Sequence, residues 1–438
     1  MPAADAAAPV AATLARVVAA DHARIVAAVI ATVGDWQVAE DALQDACERA
    51  LTSWAHDGLP ANPAGWLVTT ARRRGIDLLR RAAGRESTAQ RYGSALERGL
   101  LAPDDGGDGD DGGGGPGIGD DRLRLVLTCA HPALPLQARV ALTLRTVLGW
   151  TPAEIARSLL STEAAIDKRL VRARAKIAHA GIPYRLPSPQ DLPGRIDGVL
   201  AVVHLLFTTG YADAGRAELM AEAVRLGRLV RDLLEPAAPE RCEASGLLAL
   251  MLAQRSRQRA RFDADGEPVL MDRQDRSLWD RDAVAEARHL LDEVLQHAAH
   301  RRRPVGRYVL QAAIALEHAQ PREAGDTDWV RIAELHRLLD RVAGSPAQRI
   351  AWAVAAGRAH GPLRGLEVLD GVRRGEGLHL FHAARADLLE AAGQLAEAER
   401  AYARAAGLAP GAGERAALSA RQRALADRCT RTAPTTRP

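Results

Sequence analysis

Apolar side chains recur at three- and four-residue intervals along almost the whole chain. That is the spacing of helices with one buried face. The pattern predicts a helix over 14–33 with Leu14, Val17, Val18, Ile25, Val29 and Ile30 inward. Asp35 is placed to cap a second helix, whose apolar seam is Ala39, Leu43, Ala46 and Ala50. Pro60 and Pro63 break the chain, and Asn62 can cap a third helix with Leu67, Ile76, Leu78 and Leu79 as core. Beyond residue 122, two helices broken at His131-Pro132 and Pro135 lead into residues 151–177. There Thr151-Pro152-Ala153-Glu154 has the form of a capping box with Pro at the first helical position. Ile155, Ala156, Leu159 and Leu160 give that short helix its apolar face. Thr162 can cap a following helix carrying Ile166, Leu170, Ala173 and Ile177 inward.

From Pro187 onward the same periodicity continues. Helices are expected over 196–208, 214–234, 243–261, 281–299, 305–318, 328–342, 346–358 and in later pairs. In residues 379–410, Ala386, Gly393, Ala398, Tyr402, Ala405 and Pro410 fall at the spacings of a tetratricopeptide unit. The C-terminal half therefore reads as an array of about five or six helical hairpins, only the last repeat-like by pattern. The fold class is all-α.

Composition supports this reading and divides the chain. Aromatic residues are only 3% while alanine is abundant, which favours helices over sheets. Between Asp104 and Asp121 stand nine Gly and seven Asp with no Lys or Arg. Such a stretch buries no apolar surface and is expected to be a disordered tether. The four cysteines (Cys47, Cys129, Cys242, Cys429) have no CxxC spacing, so neither a zinc site nor a disulfide framework is expected. The first residues lack a basic segment before an apolar core, and no apolar run reads as membrane-spanning. A cytoplasmic protein with no membrane partner is the expectation.

The net charge of +3 is too small to mark the whole chain as nucleic-acid binding, so the clusters matter. The second helix has an acidic outer face: Glu40, Asp41, Asp45 and Glu48, with Gln44 among them. Taken alone, this is a solvated face. The third helix carries Trp66, Thr69 and Thr70 near a stripe of Arg72, Arg73, Arg74, Arg80 and Arg81. Stacking beside backbone neutralisation is how single-stranded DNA is held, although a tryptophan is more often core. In residues 162–177, Lys168, Arg169, Arg172, Arg174 and Lys176 face away from the apolar side. A short amphipathic helix under a basic one is the plan of a helix-turn-helix.

Catalytic constellations are missing. Asp263, Asp265 and Glu267 around Gly266, followed by Asp272, Asp275 and Asp280, lack the ligand spacing of a calcium loop. A turn anchored by Trp279 is the better reading. His204, His289, His318, His360 and His382 are dispersed, and no nucleophile elbow, phosphate loop or HExxH occurs. No enzyme activity, catalytic residue, metal or cofactor is expected.

Three stretches carry a family resemblance: AEDALQDACERAL, then PAGWLVTTARRRGIDLLRR, then ALTLRTVLGWTPAEIA with RLVRARAKI. In this order they resemble regions 2 and 4 of a bacterial sigma factor of the extracytoplasmic-function type. DGVLAVVHLLFTTGY and DADGEPVLMDRQDRSLWDR resemble the long helical extension of one subgroup. The resemblance implies region 2 over 14–82, an acidic linker over 83–121, region 4 over 122–183, and an extension over 187–300 and 301–427. It implies core RNA polymerase, through its beta-prime and beta subunits, and promoter DNA as partners. Polymerase docking would fall to Glu40, Asp41, Gln44, Asp45 and Glu48. The minus-ten element would meet Trp66, Thr69, Thr70, Arg72, Arg73, Arg74, Arg80 and Arg81. The minus-thirty-five element would meet Glu163, Ala164, Asp167, Lys168, Arg169 and Arg172. Many members have Gly where this chain has Leu160, and Thr and Lys where it has Ala165 and Asp167. The turn and the promoter sequence are therefore not carried over. The resemblance also implies control through the extension, which could take an intramolecular or protein partner. The alternative is a stand-alone helix-turn-helix regulator whose helical array serves as effector domain.

Overall fold

Local capping chemistry starts several of the helices that follow. The computed structural model describes residues 3–85, 116–159, 161–180, 182, 184–188, 190–211, 216–263, 269–372, 375–409 and 411–432. Among these residues there is no strand. The chain divides into two compact units, Met1–Pro236 and Ala237–Pro438.

In the first unit, helices α1 (Ala3–Val33), α2 (Trp36–Asp57) and α3 (Pro63–Arg85) pack together. Asp35 accepts from the Gln37 and Val38 amides, and Asn62 accepts from the Gly65 amide. Ile25, Val26, Val29, Ala39, Ala46, Leu67 and Ala71 are fully buried between the three helices. A Cβ at Gly75 would stand 2.7 Å from a Val33 methyl, so α3 needs glycine to lie this close to α1. Apolar periodicity places the start of the first helix at residue 14, with frayed residues before it. The helix instead begins at Ala3, in a stretch of alanines, the strongest helix formers.

Helices α4 (Pro116–Cys129), α5 (Leu136–Thr146), α6 (Pro152–Ser158) and α7 (Glu163–His179) follow. The tether expected to reach Asp121 stops earlier, because residues from Pro116 are helical, with proline at the first helical position. Residues 86–115, which make up most of the expected tether, and Leu160 in the turn lie outside the described residues. The Thr151–Glu154 capping box forms on both sides, and Thr162 caps α7 through the Ala165 amide.

Helices α8 (Leu192–Tyr211) and α9 (Ala217–Leu233) form a hairpin inside this first unit. Ser158 Oγ on α6 donates to Glu218 Oε1 on α9 at 3.1 Å. A Cβ on Gly198 would sit 3.3 Å from the Ala130 carbonyl, so α8 passes close to the end of α4. The expectation that no segment has membrane-spanning character is corrected here: α8 is long and apolar enough by length and composition. Its apolar character is explained by packing, because Ile196, Val199, Leu200, Val202, Val203, Leu206 and Phe207 are buried within the unit.

The second unit holds α10 (Pro239–Arg255), α11 (Arg281–His300), α12 (Arg307–Ala319), α13 (Trp329–Ala343), α14 (Pro346–His360), α15 (Pro362–Asp370), α16 (His379–Ala391), α17 (Leu395–Leu408) and α18 (Ala412–Thr432). Consecutive helices pack as hairpins. Gly246 lets α10 approach α12, since a Cβ there would meet the Val309 amide nitrogen at 2.7 Å. Trp279 is buried beneath two guanidinium groups, with Arg276 4.5 Å and Arg257 5.8 Å from its ring centre. Arg276 donates to the His318 and Pro321 carbonyls at the C-terminal end of α12. Asp280 caps α11, and Asp265, Gly266 and Glu267 lie outside the described residues. In the repeat-like pair α16–α17, Ala386, Ala398, Tyr402 and Ala405 are fully buried and Gly393 has φ +79°. Pro410, the last position of that pattern, lies outside the described residues. The compact units divide the helices after Pro236 rather than near 187 or 300, so α8 and α9 belong with the N-terminal helices.

Candidate polymerase and nucleic-acid interfaces

The outward face of α7 is set by what its inward face buries. Ile166, Leu170, Ala173 and Ile177 are in the core against α5 and α6. Glu163, Ala164, Asp167, Lys168 and Arg172 are therefore exposed, and Arg169 is half-buried. Arg172 Nε donates to the Lys168 carbonyl one turn back, which aligns its side chain along the helix.

On α3, Leu67 and Ala71 face the core. Trp66 is half-buried and packs edge-on against Trp54, with ring centres 5.5 Å apart. Thr69 is exposed and Thr70 half-buried. Arg72, Arg73, Arg80 and Arg81 are exposed, while Arg74 is half-buried. Arg72 Nε donates to the Ala28 carbonyl at 3.3 Å, and Arg74 pairs with Asp45 of α2. The basic stripe and the acidic face thus meet through that last pair.

The acidic face of α2 is not uniform. Asp41, Gln44 and Glu48 are exposed, with Gln37 donating to Asp41 and Gln44 donating to Glu48. Glu40 differs, because its side chain is only 9% exposed. Arg145 Nε of α5 donates to Glu40 Oε2 at 3.1 Å, and Arg174 Nη2 of α7 donates to Glu40 Oε1 at 2.6 Å. Arg174 Nη1 also donates to Gln37 at 2.8 Å. Sequence spacing groups Arg174 with the outward basic residues of α7, and it draws no link between Glu40 and Arg145. Charge pairs this far apart in the chain leave no periodic signal.

Two further contacts join the same elements. A Cβ on Gly149, just before α6, would stand 2.7 Å from the His22 ring of α1, and Gly149 has φ +77°. Burial, with Arg145 and Arg225 nearby, pushes His22 down to about 4. Beyond α7, Tyr184 reaches back to α1 and α2: its hydroxyl donates to the Ala27 carbonyl and its ring meets Trp36 edge-on. Cys129, fully buried beside Glu40 and Arg174, has its thiol pushed up by burial. It is an inert core group rather than a reactive one.

An exposed basic helix, a tryptophan-and-arginine helix and an acidic helix beside it now stand together. Residues 17–85 match the Sigma-70 region 2 family, and residues 124–177 match Sigma-70, region 4. The chain belongs to the sigma-70 family. It is a sigma factor of the extracytoplasmic-function-like kind with a C-terminal extension. As such it binds core RNA polymerase and promoter DNA and directs promoter-specific transcription initiation. Sigma-70 family proteins are initiation factors, not enzymes. Residues 195–295 of this sigma factor match a family of unknown function (DUF6596). An uncharacterized protein of Rhizobium meliloti (strain 1021) is 39% identical over 387 residues, covering 86% of this chain and 88% of that protein. No solved structure matches.

Proposed function

We propose that Glu40, Asp41, Gln44, Asp45 and Glu48 dock this sigma factor on the beta-prime subunit of core polymerase, while region 4 meets the beta subunit. The exposure of Asp41, Gln44 and Glu48 on one face of α2 supports this reading. Complementary charge at such a face speeds and orients docking more than it adds affinity. Trp66, Thr69, Thr70 and the arginines at 72, 73, 74, 80 and 81 engage the minus-ten element. Guanidinium groups neutralise the backbone and the tryptophan offers a surface for an unstacked base. Glu163, Ala164, Asp167, Lys168, Arg169 and Arg172 contact the minus-thirty-five element in the major groove. There an arginine can pair bidentately with guanine, and Asp167 can accept from a cytosine amino group. The functional parts are region 2 over 14–82, a tether that ends before Pro116, region 4 over 122–183 and a regulatory helical extension over 187–427. The protein works on chromosomal promoters in the cytoplasm.

The observation that carries the DNA assignment is the exposed set on α7 opposite its fully packed apolar side. The test is run-off transcription with purified core polymerase, the full chain and a pool of genomic promoters. Promoter-specific transcripts are expected, and Asp41→Arg with Asp45→Arg should abolish both the transcripts and co-elution with core enzyme. Normal co-elution of that double variant would remove the docking assignment. Specific DNA binding by the wild-type chain without any transcript would instead favour the stand-alone regulator.

A further inference from the structure

Two histidines of the second unit, His318 and His336, line one cavity. Leu250, Gln254 and Arg257 form a stripe on and just beyond α10, and Gln311, Ile314 and His318 form another along α12. His336 and Leu339 of α13, with Gln348 in the first turn of α14, complete the walls. The enclosed volume is about 200 Å³. Gln254, Gln311, Gln348, His318 and His336 are half-buried, and among the described residues none of their side chains makes a hydrogen bond. His336 Nδ1 is buried outright with no partner. Polar groups withdrawn from bulk water are almost always paired, so five unpaired side chains around one cavity mark a place where something else supplies the partners.

The lining also sets the charge of that partner. Arg257 is buried, donates to Gln274 and lies over the Trp279 ring, and no carboxylate lines the cavity. Burial, with Arg257 and His336 nearby, pushes His318 down to about 4, and burial does the same to His336. Both rings are therefore neutral at neutral pH, and each offers one donor and one acceptor. A carboxylate matches a single guanidinium in charge and in planar geometry. A phosphate group, nearly doubly charged at neutral pH, would be left undercompensated. We propose that this cavity binds a small organic acid, with its carboxylate facing Arg257 and its short body held by Gln254, Gln311, Gln348 and the two histidines. At about 30 Å³ per molecule of water, the volume equals about six or seven waters, which suits a short-chain acid rather than a peptide segment. The site uses none of the residues assigned to DNA or polymerase.

The test is isothermal titration calorimetry of the full chain with acetate, malonate, succinate and glutarate, beside inorganic phosphate and uncharged succinamide. At least one of these acids should bind with one-to-one stoichiometry and raise the melting temperature of the second unit, while succinamide does not bind. Gln311→Leu and His336→Leu each put an apolar side chain of similar size at the cavity wall. Each should weaken the binding about tenfold, the equivalent of one hydrogen bond to a charged group. Without the acid, both variants should melt no lower than wild type, because an unpartnered polar group has given way to an apolar one. No binding by any of the acids, or wild-type affinity in both variants, means that the cavity holds water only and overturns the proposal. Binding of phosphate or succinamide in place of the acids overturns it as well, since the charge argument is then wrong. If both variants melt lower than wild type without the acid, these side chains serve packing, and the proposal is again overturned.

Discussion

Glu40 on α2 and Arg174 on α7 stand 134 positions apart in the chain and meet at 2.6 Å. The second carboxylate oxygen of Glu40 is taken by Arg145, so one nearly buried anion is shared by two cations. Replacing Glu40 by Gln keeps the shape and removes the charge. Arg145 and Arg174 would then face each other without compensation, since breaking one side of a buried pair leaves the other charge stranded. Because both arginines retain some solvent contact, the expected loss is about 2 kcal/mol, below the full burial figure. Calorimetry of the first unit should show the lower melting temperature, and the second unit should melt unchanged.

Arg172 on α7 is exposed, and its side chain is aligned along the helix. Arg172→Ala should weaken promoter binding by about 1–3 kcal/mol if it pairs with a base, and reduce the salt slope by about one if it neutralises a phosphate. Fluorescence anisotropy on a minus-thirty-five duplex across a salt series distinguishes the two. An unchanged affinity and slope would take Arg172 out of the interface.

His22 links stability to acid. Its folded value of about 4 lies below the ordinary 6.5, mainly through burial and then through Arg145 and Arg225. Between those values the unfolded chain binds the extra proton, so stability is complete above about 6.5 and falls as pH drops towards about 4. The whole window corresponds to about 3 kcal/mol. Urea unfolding at several pH values should show a shallower acid loss in His22→Gln than in wild type. The difference isolates His22 from His131, His318 and His336, which burial also pushes down to about 4.

Tyr402 separates packing from hydrogen bonding in the repeat-like hairpin. Its ring is fully buried, and its hydroxyl pairs with Asp387 and accepts from Arg421. Tyr402→Phe should cost about 1 kcal/mol, because Arg421 still pairs with Asp387 once the hydroxyl is gone. Tyr402→Ala should cost about 3–5 kcal/mol through the cavity it leaves. Urea denaturation of the second unit measures both, and similar losses would show that packing does not dominate there.

Much of this architecture is legible locally. Asp35, Asn62, Thr151 and Thr162 act as caps because a cap is a matter of three or four neighbouring residues. The apolar seams of α2 and α7 follow from spacing for the same reason, and Trp279 is the anchor that its turn required. The Glu40–Arg145–Arg174 cluster and the Arg74–Asp45 pair are not legible in this way. Each looks like part of a solvated charged face until distant helices are brought together. The place of α8 and α9 in the first unit is hidden too, since an apolar helical face does not say which neighbour will cover it.

That last assignment bears on what can be lost over evolutionary time. The family match over 195–295 straddles the division after Pro236, so one inherited segment contributes to both units. An accessory module joined only by a tether can be shed by a lineage without harm to its neighbour. Shedding everything after α7 would here strip away Val199, Val203 and Phe207 together with the Ser158–Glu218 link. Such a descendant would have to resurface α4 and α5 with polar residues before it could persist as a shorter protein.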